Sequence, residues 1–272
     1  SGAGHIFSTA GPQGFAGSLT LPGTATFNAY ARLTIGAIGQ PANHSLSVNT
    51  EGATSLAPGA TLIINRYNTW NYASSFTVGG TPSGQATVRL EGGRLLGVGS
   101  AGLTVRSASD IVVTGTDSLL SSASLIVGNA GGGTLSAYNG ASIVATSFNL
   151  GVGNTASVAT LFVDNGTTFT ANSAIIGTGG ASTLTAQASL LGDTTLNTLL
   201  LQSGGRVDVV GGTTDVGFLS NQGHLRLAGG TLLLGSSAQT TQQPLDWHGG
   251  TVRLTGSFYQ PTGLGKTEFL LG

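Results

Sequence analysis

The sequence contains no cysteine and no methionine in 272 residues. Without cysteine it can form neither a disulfide framework nor a thiolate metal site. A long chain free of cysteine suits a protein that is exported unfolded across a membrane. Because position 1 is serine, we expect that the initiator residue and any signal peptide have been removed.

Charged residues are also scarce. They make up 7% of the chain, against about 25% in ordinary soluble proteins, and the net charge is −1. No lysine, arginine or histidine occurs between Arg106 and Arg206. Such a surface cannot neutralise a row of phosphates, so we expect no nucleic-acid partner. No apolar run approaches the roughly 18 residues of a membrane helix, so we expect no direct membrane span.

What the chain does contain is a repeat, clearest between residues 125 and 201. The phrase LIVGNAGGGTLSAYNGASIVATS returns twice with its polar residues exchanged. Gly128, Gly153 and Gly177 recur at steps of 25 and 24, and the apolar anchors Leu135, Leu161 and Leu184 at steps of 26 and 23. A drifting period near 24 indicates stacked repeats rather than a globular core.

Within each repeat, apolar runs of three to five residues are bounded by Gly, Asn, Ser and Thr, which predicts short strands joined by turns. Helices are disfavoured, because each internal glycine costs about 1 kcal/mol relative to alanine and the chain has 46 glycines. The prediction is an all-β fold, a right-handed parallel β-helix (β-solenoid) of roughly 24-residue coils. At a strand spacing of about 4.8 Å it would form a rod on the order of 50 Å long.

We expect one solenoid domain over residues 1–272, divided into four parts. Residues 1–61 carry four prolines and should form irregular or capping coils, because proline cannot donate to a β-ladder. Residues 62–77 are expected to form an aromatic side loop, and 78–256 the repeat coils. Residues 257–272 stop within a strand-like sequence, so we expect either a truncated end or a longer parent protein.

The aromatic segment NRYNTWNYASSF supplies four candidate contact residues, Tyr67, Trp70, Tyr72 and Phe76, in a chain that is 6% aromatic. One interpretation is structural, with the rings covering an open edge or filling a wide coil. The other is functional, because exposed rings beside amides can stack on a sugar or a protein partner. Solvent exposure of the rings distinguishes the two.

Alternating charged and apolar residues near the C-terminus suggest a second candidate surface. If coils are in register, Asp208, Arg226 and Arg253 would share one outer face as a charged ladder. A solvated face is one interpretation, and a weak site for acidic glycans, contacted by Arg226 and Arg253, is the other.

We identify no catalytic residues, no metal site and no cofactor. The acids are scattered, although Asp193, Asp208 and Asp215, spaced by 15 and 7, could share a face. His224 and His248 lie one period apart, which would place them on adjacent coils; chance explains this spacing better than a metal site.

The repeat LIVGNAGGGTLSAYNGASIVATSFNLGVG has the form LxVGNxGxGTLxVxNGAxxxxxxLxIG, and a WxGGT-like turn follows in WHGGTVRLTG. These phrases resemble the Gly/Thr-rich repeats of bacterial autotransporter passengers and of exported proteins with PEP-CTERM sorting tails. The resemblance covers about residues 30–256. It implies a parallel β-helix, a secreted or bacterial cell-surface location, and a role in adhesion, matrix or display.

These observations support three functional hypotheses. The first is a non-catalytic structural or adhesive stalk with surface glycans or a host or matrix protein as partner. The second is a polysaccharide-binding or polysaccharide-processing β-helix that uses the 65–76 segment or the 193–215 acids. The third is a fibre subunit that associates head to tail through unpaired strand edges.

Overall fold

The computed structural model describes residues 17–21, 23–27, 32–36, 45–79, 85–106, 108–129, 131–152, 157–179, 181, 183–237 and 243–256. Regular structure in these residues consists entirely of β-strands. No helix long and apolar enough to cross a membrane occurs among them.

The strands are numbered in chain order. The N-terminal strands are β1 (Gly17–Leu21), β2 (Ala25–Phe27), β3 (Arg32–Ile35), β4 (Leu46–Thr50), β5 (Thr54–Leu56), β6 (Thr61–Asn65), β7 (Thr69–Tyr72), β8 (Ser75–Val78), β9 (Thr87–Glu91), β10 (Arg94–Gly97), β11 (Gly102–Val105) and β12 (Ser109–Thr114). The remaining strands are β13 (Leu119–Val127), β14 (Gly133–Tyr138), β15 (Ser142–Leu150), β16 (Ala159–Val163), β17 (Thr168–Ile176), β18 (Ala186–Leu190), β19 (Asp193–Leu201), β20 (Gly205–Val209), β21 (Thr213–Asn221), β22 (His224–Leu227), β23 (Thr231–Ser237), β24 (Asp246–Trp247) and β25 (Thr251–Leu254).

These strands form two sheets in which every strand pairs in parallel with its counterpart one coil away. Sheet A has 15 strands and follows the path β1-β4-β7-β10-β13-β15-β17-β19-β21-β23-β25. Sheet B has ten strands and runs from β3 to β24 through the intervening short strands. Each coil therefore contributes one strand to sheet B and then a longer segment to sheet A. The predicted all-β parallel β-solenoid is confirmed.

The core lies between the two sheets because alternate residues of every strand point inward. Along sheet B, one inward column consists of Leu62, Val88, Ile111, Leu135 and Leu161, all nearly inaccessible to solvent. A solenoid coil cannot bury these side chains alone, so each depends on the coils above and below it.

The length of a coil varies along the chain. In sheet A, Ile143 pairs with Phe169, whereas Thr214 pairs with Leu232, so the step between partners falls from 26 to 18. Most of this variation lies in one corner, where the chain leaves sheet A for sheet B. Its loops span 128–132, 151–158, 177–185, 202–204 and 222–223.

This corner changes two of the equivalences expected from the sequence. Gly151, not Gly153, is the counterpart of Gly128 and Gly177, since each of these three amides bonds to the last strand residue of the preceding coil. Leu161 pairs with Ala188, whereas the expected anchor Leu184 is 42% exposed in the loop. Gly153 itself lies outside the described residues.

The opposite corner, from sheet B to sheet A, is short and uniform. It turns on residues with positive φ, among them Gly92, Gly140 and Gly166 at φ 78, 78 and 73°. Glycine adopts this left-handed conformation at little cost, which explains its recurrence there. The uniform corner keeps successive coils in register.

The two ends of the chain fall partly outside the described residues. Pro12, Pro22 and Pro41, on which the expectation of capping coils depended, lie outside them, as does the whole of 257–272. Where the N-terminal region is described, β1 pairs with β4 over five residues, and β4 with β7 over four. The ladder therefore extends through these coils.

Candidate functional site

The aromatic segment forms strands of the regular ladder rather than a side loop. It covers the end of β6, β7 and the start of β8. Trp70, Tyr72 and Phe76 are inside the solenoid with at most 1% exposure, whereas Tyr67 is 36% exposed. The expected side loop at 62–77 is thus wrong, and three of the four rings present no face to a ligand.

The buried rings form a cluster that fills a wide coil. Phe76 packs edge-on against Trp70 and Tyr72, with ring centroids 6.1 and 5.4 Å away. Trp70 Nε1 donates to Thr50 Oγ1 at 3.3 Å. The Tyr72 hydroxyl donates to the Ser121 carbonyl oxygen, also at 3.3 Å, and burial raises the pKa of this phenol to about 12. This cluster stabilises the coil, as the structural interpretation proposed.

Tyr67 lies apart from the cluster, in the uniform corner. Its backbone has φ 67°, and the Arg66 guanidinium carbon lies 4.7 Å from the centre of its ring. Arg66 Nε also donates to Asp117 Oδ2 at 2.6 Å. Both partners of this ion pair are about half exposed, so the pair contributes little to stability.

The charged ladder is confirmed for two of its three members. Asp208 and Arg226 are register neighbours on sheet B, with Arg226 Nη1 4.0 Å from Asp208 Oδ1. Arg253 lies in β25 of sheet A, opposite Leu233, so its expected place in this ladder is wrong. Asp246 instead follows Arg226 in the ladder.

Asp208 is the anchor of this charged group. It is 6% exposed and accepts two hydrogen bonds from the Arg206 guanidinium, at 2.8 and 2.9 Å. These bonds raise the pKa of Arg206. At the next coil, His248 Nε2 lies 2.8 Å from Asp246 Oδ1. Because opposite charges are paired on neighbouring strands, the surface presents no concentrated charge of one sign.

The expected grouping of carboxylates does not form. Asp193 and Asp215 belong to sheet A, whereas Asp208 belongs to sheet B. In the described residues, no three His, Cys, Asp or Glu side chains are close enough to hold a metal ion. His224 and His248 are not aligned either, since Arg226 pairs with Asp246 and the coil between them is shorter than the period of the central repeats.

A groove on the outer face of sheet A was not predicted from the sequence. In β13, β15, β17 and β19, the strand bends at its fifth residue, which the register leaves unpaired. At each bend two consecutive residues point outward, as Thr146 and Ser147 do in β15. Stacking of these bends creates a groove of about 280 Å³. Its lining residues are Gly97, Gly99, Ser121, Ser122, Ala123, Val144, Ala145, Thr146, Thr170, Ala171, Asn172 and Asn197.

The groove is polar but carries no charged lining residue. Thr146, Thr170, Asn172 and Asn197 are exposed in it. Asn197 Nδ2 donates to Asn172 Oδ1 at 2.5 Å across adjacent coils. The sequence does contain a signal for this groove, namely paired polar residues that interrupt the strict alternation of a strand at the same position of successive repeats.

Sequence analysis also missed a partly exposed aromatic pair on sheet B. Tyr138 and Phe162 point outward from β14 and β16, with ring centroids 5.4 Å apart and planes inclined by 36°. The pair lies on the opposite sheet from the groove. It shows that the chain does expose aromatic surface, but outside the segment in which we predicted it.

Comparisons with known proteins return no match, whether against protein-family models, curated proteins or solved structures.

Proposed function

We propose that this chain is an extracellular or cell-surface structural and adhesive β-solenoid that acts as a non-catalytic stalk or scaffold. The observation that carries the proposal is the continuous parallel ladder of sheet A, which links eleven strands from β1 to β25. At about 4.8 Å per strand, the described ladder spans about 50 Å. Its core residues pack on their counterparts in neighbouring coils, which makes the stack a good spacer.

The composition of the outer face supports the extracellular part of the proposal. Along β17, the outward residues are Thr168, Thr170, Asn172 and Ser173, and those of β15 and β19 are mostly of the same uncharged polar type. Such a surface stays hydrated without strong electrostatic attraction to other molecules. The repeat also resembles those of bacterial autotransporter passengers and PEP-CTERM proteins, so we extend the proposal to a bacterial surface.

Removal of one coil tests the stalk role. Ser142 pairs with Thr168, so deleting residues 143–168 joins Ser142 to Phe169 and leaves the flanking coils in register. We expect the variant to fold with the same cross-section and to be shorter by about 4.8 Å. Small-angle X-ray scattering measures both quantities.

A matched control deletes residues 143–155, which removes about half a coil and shifts the register. This variant should lose its β-rich circular dichroism. If the full-coil deletion were equally disruptive, coils would not be modular units and the stalk proposal would lose its support.

Adhesion by the chain is favoured by the groove in sheet A, which offers a defined surface for a partner.

A further inference from the structure

We propose that the groove in sheet A binds an extended, uncharged oligosaccharide whose chain lies parallel to the solenoid axis. The inference rests on the adhesive part of the proposed function and names the ligand class for it. It also replaces the buried 65–76 segment as the place where a glycan would bind.

The first support is the direction and extent of the groove. Its lining residues come from five successive coils, represented by Gly97, Ser121, Thr146, Thr170 and Asn197. Four inter-strand steps of about 4.8 Å give a length of about 19 Å along the axis. A hexose unit in an extended β-linked chain advances by about one such step. Each sugar would therefore meet the same position of a new coil.

The second support is the floor of the groove, which is made of small residues. Ser122, Ala145 and Ala171 are inward-pointing and buried beneath it. At Gly97, an added Cβ would lie 2.9 Å from the Tyr72 hydroxyl, so the buried aromatic cluster explains the glycine there. Small side chains at these positions leave room for a ligand at the bend.

The third support is the set of hydrogen-bonding groups. The hydroxyls of Thr146 and Thr170 and the amides of Asn172 and Asn197 are exposed along the groove. The bond between the two asparagines uses one donor of Asn197 and the acceptor of Asn172. The Asn172 amide donors and the Asn197 carbonyl oxygen remain for a ligand. Hydroxyls and amides both donate and accept, as the hydroxyl groups of a sugar require.

The fourth support is the absence of charge together with exposed apolar groups. None of the lining residues is ionisable, so an acidic or basic polymer would find no partner there. Val144 lines the groove and is 41% exposed, and Val98, between two lining glycines, is 54% exposed. These side chains suit the C–H faces of a sugar ring, whose edges carry the hydroxyls.

A peptide strand fits this groove less well. The strands of sheet A cross the groove and their backbone groups pair along the axis with neighbouring coils. They therefore offer no free edge for β-strand addition, which is the usual way to bind an extended peptide. Recognition must come from side chains, which favours a ligand rich in hydroxyls.

Isothermal titration calorimetry of the full chain tests the proposal with four neutral extended probes: cellohexaose, mannohexaose, xylohexaose and chitohexaose. We expect at least one to bind, with a dissociation constant that changes less than twofold between 50 and 500 mM NaCl, because no ion pair forms. Hexagalacturonate, as an acidic probe, and a Ser/Thr-rich hexapeptide should not bind.

The double substitution Thr146→Ala/Asn172→Ala should raise the dissociation constant about tenfold or more, since it removes a hydroxyl and an amide. Thr168→Ala and Asn149→Ala are matched controls. They remove the same groups from outward positions of β17 and β15 that do not line the groove, and should change the constant less than twofold. Circular dichroism checks that every variant is folded.

Three results would overturn the inference: no binding of the four neutral probes, equal binding by the groove variant and its controls, or binding only of the acidic or peptide probe. Small-angle scattering on the same samples separates this outcome from failure of the stalk proposal, because a rod without a bound sugar leaves the stalk role standing.

Discussion

Replacing Trp70 by alanine gives the sharpest contrast between a core residue and a ligand-contact residue. In the structure Trp70 is 1% exposed, packs edge-on against Phe76 and donates a hydrogen bond to Thr50. We therefore expect Trp70→Ala to lower the stability of the chain substantially, whether or not a glycan is present.

The magnitude follows from the size of the cavity. Truncation of a buried Trp or Phe to alanine costs about 3–5 kcal/mol. The lost indole hydrogen bond adds a smaller amount within that range, since a typical net contribution is about 1 kcal/mol. Most domains are stable by only about 5–15 kcal/mol. The substitution should thus remove a large part of the stability of the coils around β7.

Urea denaturation followed by far-ultraviolet circular dichroism measures this loss, and amide hydrogen exchange locates it. Exchange is needed because coils of a solenoid can open separately, which weakens a two-state analysis. Amides of β7 and of its neighbours β4 and β10 should lose protection first.

Tyr67→Ala is the matched control, an aromatic residue of the same segment that is 36% exposed. It should cost less than about 1 kcal/mol, as is usual for a surface position. If Trp70→Ala cost no more than Tyr67→Ala, the ring would not be in the core, and the placement of the aromatic cluster would be refuted.

Three further predictions concern other features of the coil stack. Thr194→Val should stabilise the chain by about 1 kcal/mol in thermal unfolding, because the buried Thr194 hydroxyl has no hydrogen-bond partner in the described part of the chain; Thr195→Val, at an exposed position, should have little effect, and a loss of stability at Thr194 would contradict this. Gly205→Ala should destabilise by about 1–3 kcal/mol or more, because its Cβ would lie 2.3 Å from a carbonyl oxygen of the neighbouring coil; Gly23→Ala, with no atom within 4 Å of the added Cβ, should be nearly neutral, and equal effects would argue against the close stacking of coils. Burial raises the pKa of Tyr72 to about 12, above its ordinary value of about 10, so its contribution to stability is complete below pH 10 and should fall by about 1.4 kcal/mol per pH unit from pH 10 to 12. Denaturation of Tyr72→Phe over this range should lack that contribution, and identical pH profiles would contradict it.

The coil architecture was predictable because it depends on local patterns. Short apolar runs, turn residues and a recurring period all indicate a β-solenoid, and the inward alternation seen in the structure follows from the same residues. The uniform corner was also visible in part, as recurring glycines. The fold could therefore be inferred without knowledge of any contact between distant residues.

The aromatic segment was misplaced because residue type was weighted above residue spacing. Trp70 and Tyr72 are two positions apart and alternate with Asn71, as residues of one strand face should. Asn71 points outward and its Nδ2 donates to Asn49 Oδ1 at 2.7 Å. The mixture of rings and amides that suggested a glycan site is thus a strand with an aromatic inner face and an amide outer face.

The errors near the C-terminus have a different cause. A constant period was applied to Arg253 and to His248, where the coils are shorter than in the centre of the chain, as the pairing of Leu232 with Val252 shows. An error of a few residues moves a side chain to another sheet. Asp208 and Arg226 were paired correctly because they are separated by one of these shorter coils, whose length their alternating motifs already contain.

The groove could not be predicted because it depends on the bend of each strand and on the stacking of several bends. The sequence shows the paired polar residues, but only the structure shows that they line one channel.

Immunogold electron microscopy of intact cells that produce the protein tests the stalk proposal most directly. Antibodies against the exposed loops of the variable corner, for example 177–185, should label the outside of unpermeabilised cells, with gold standing off the surface. Labelling that appears only after the cells are permeabilised would place the chain inside the cell and contradict a role as an extracellular stalk.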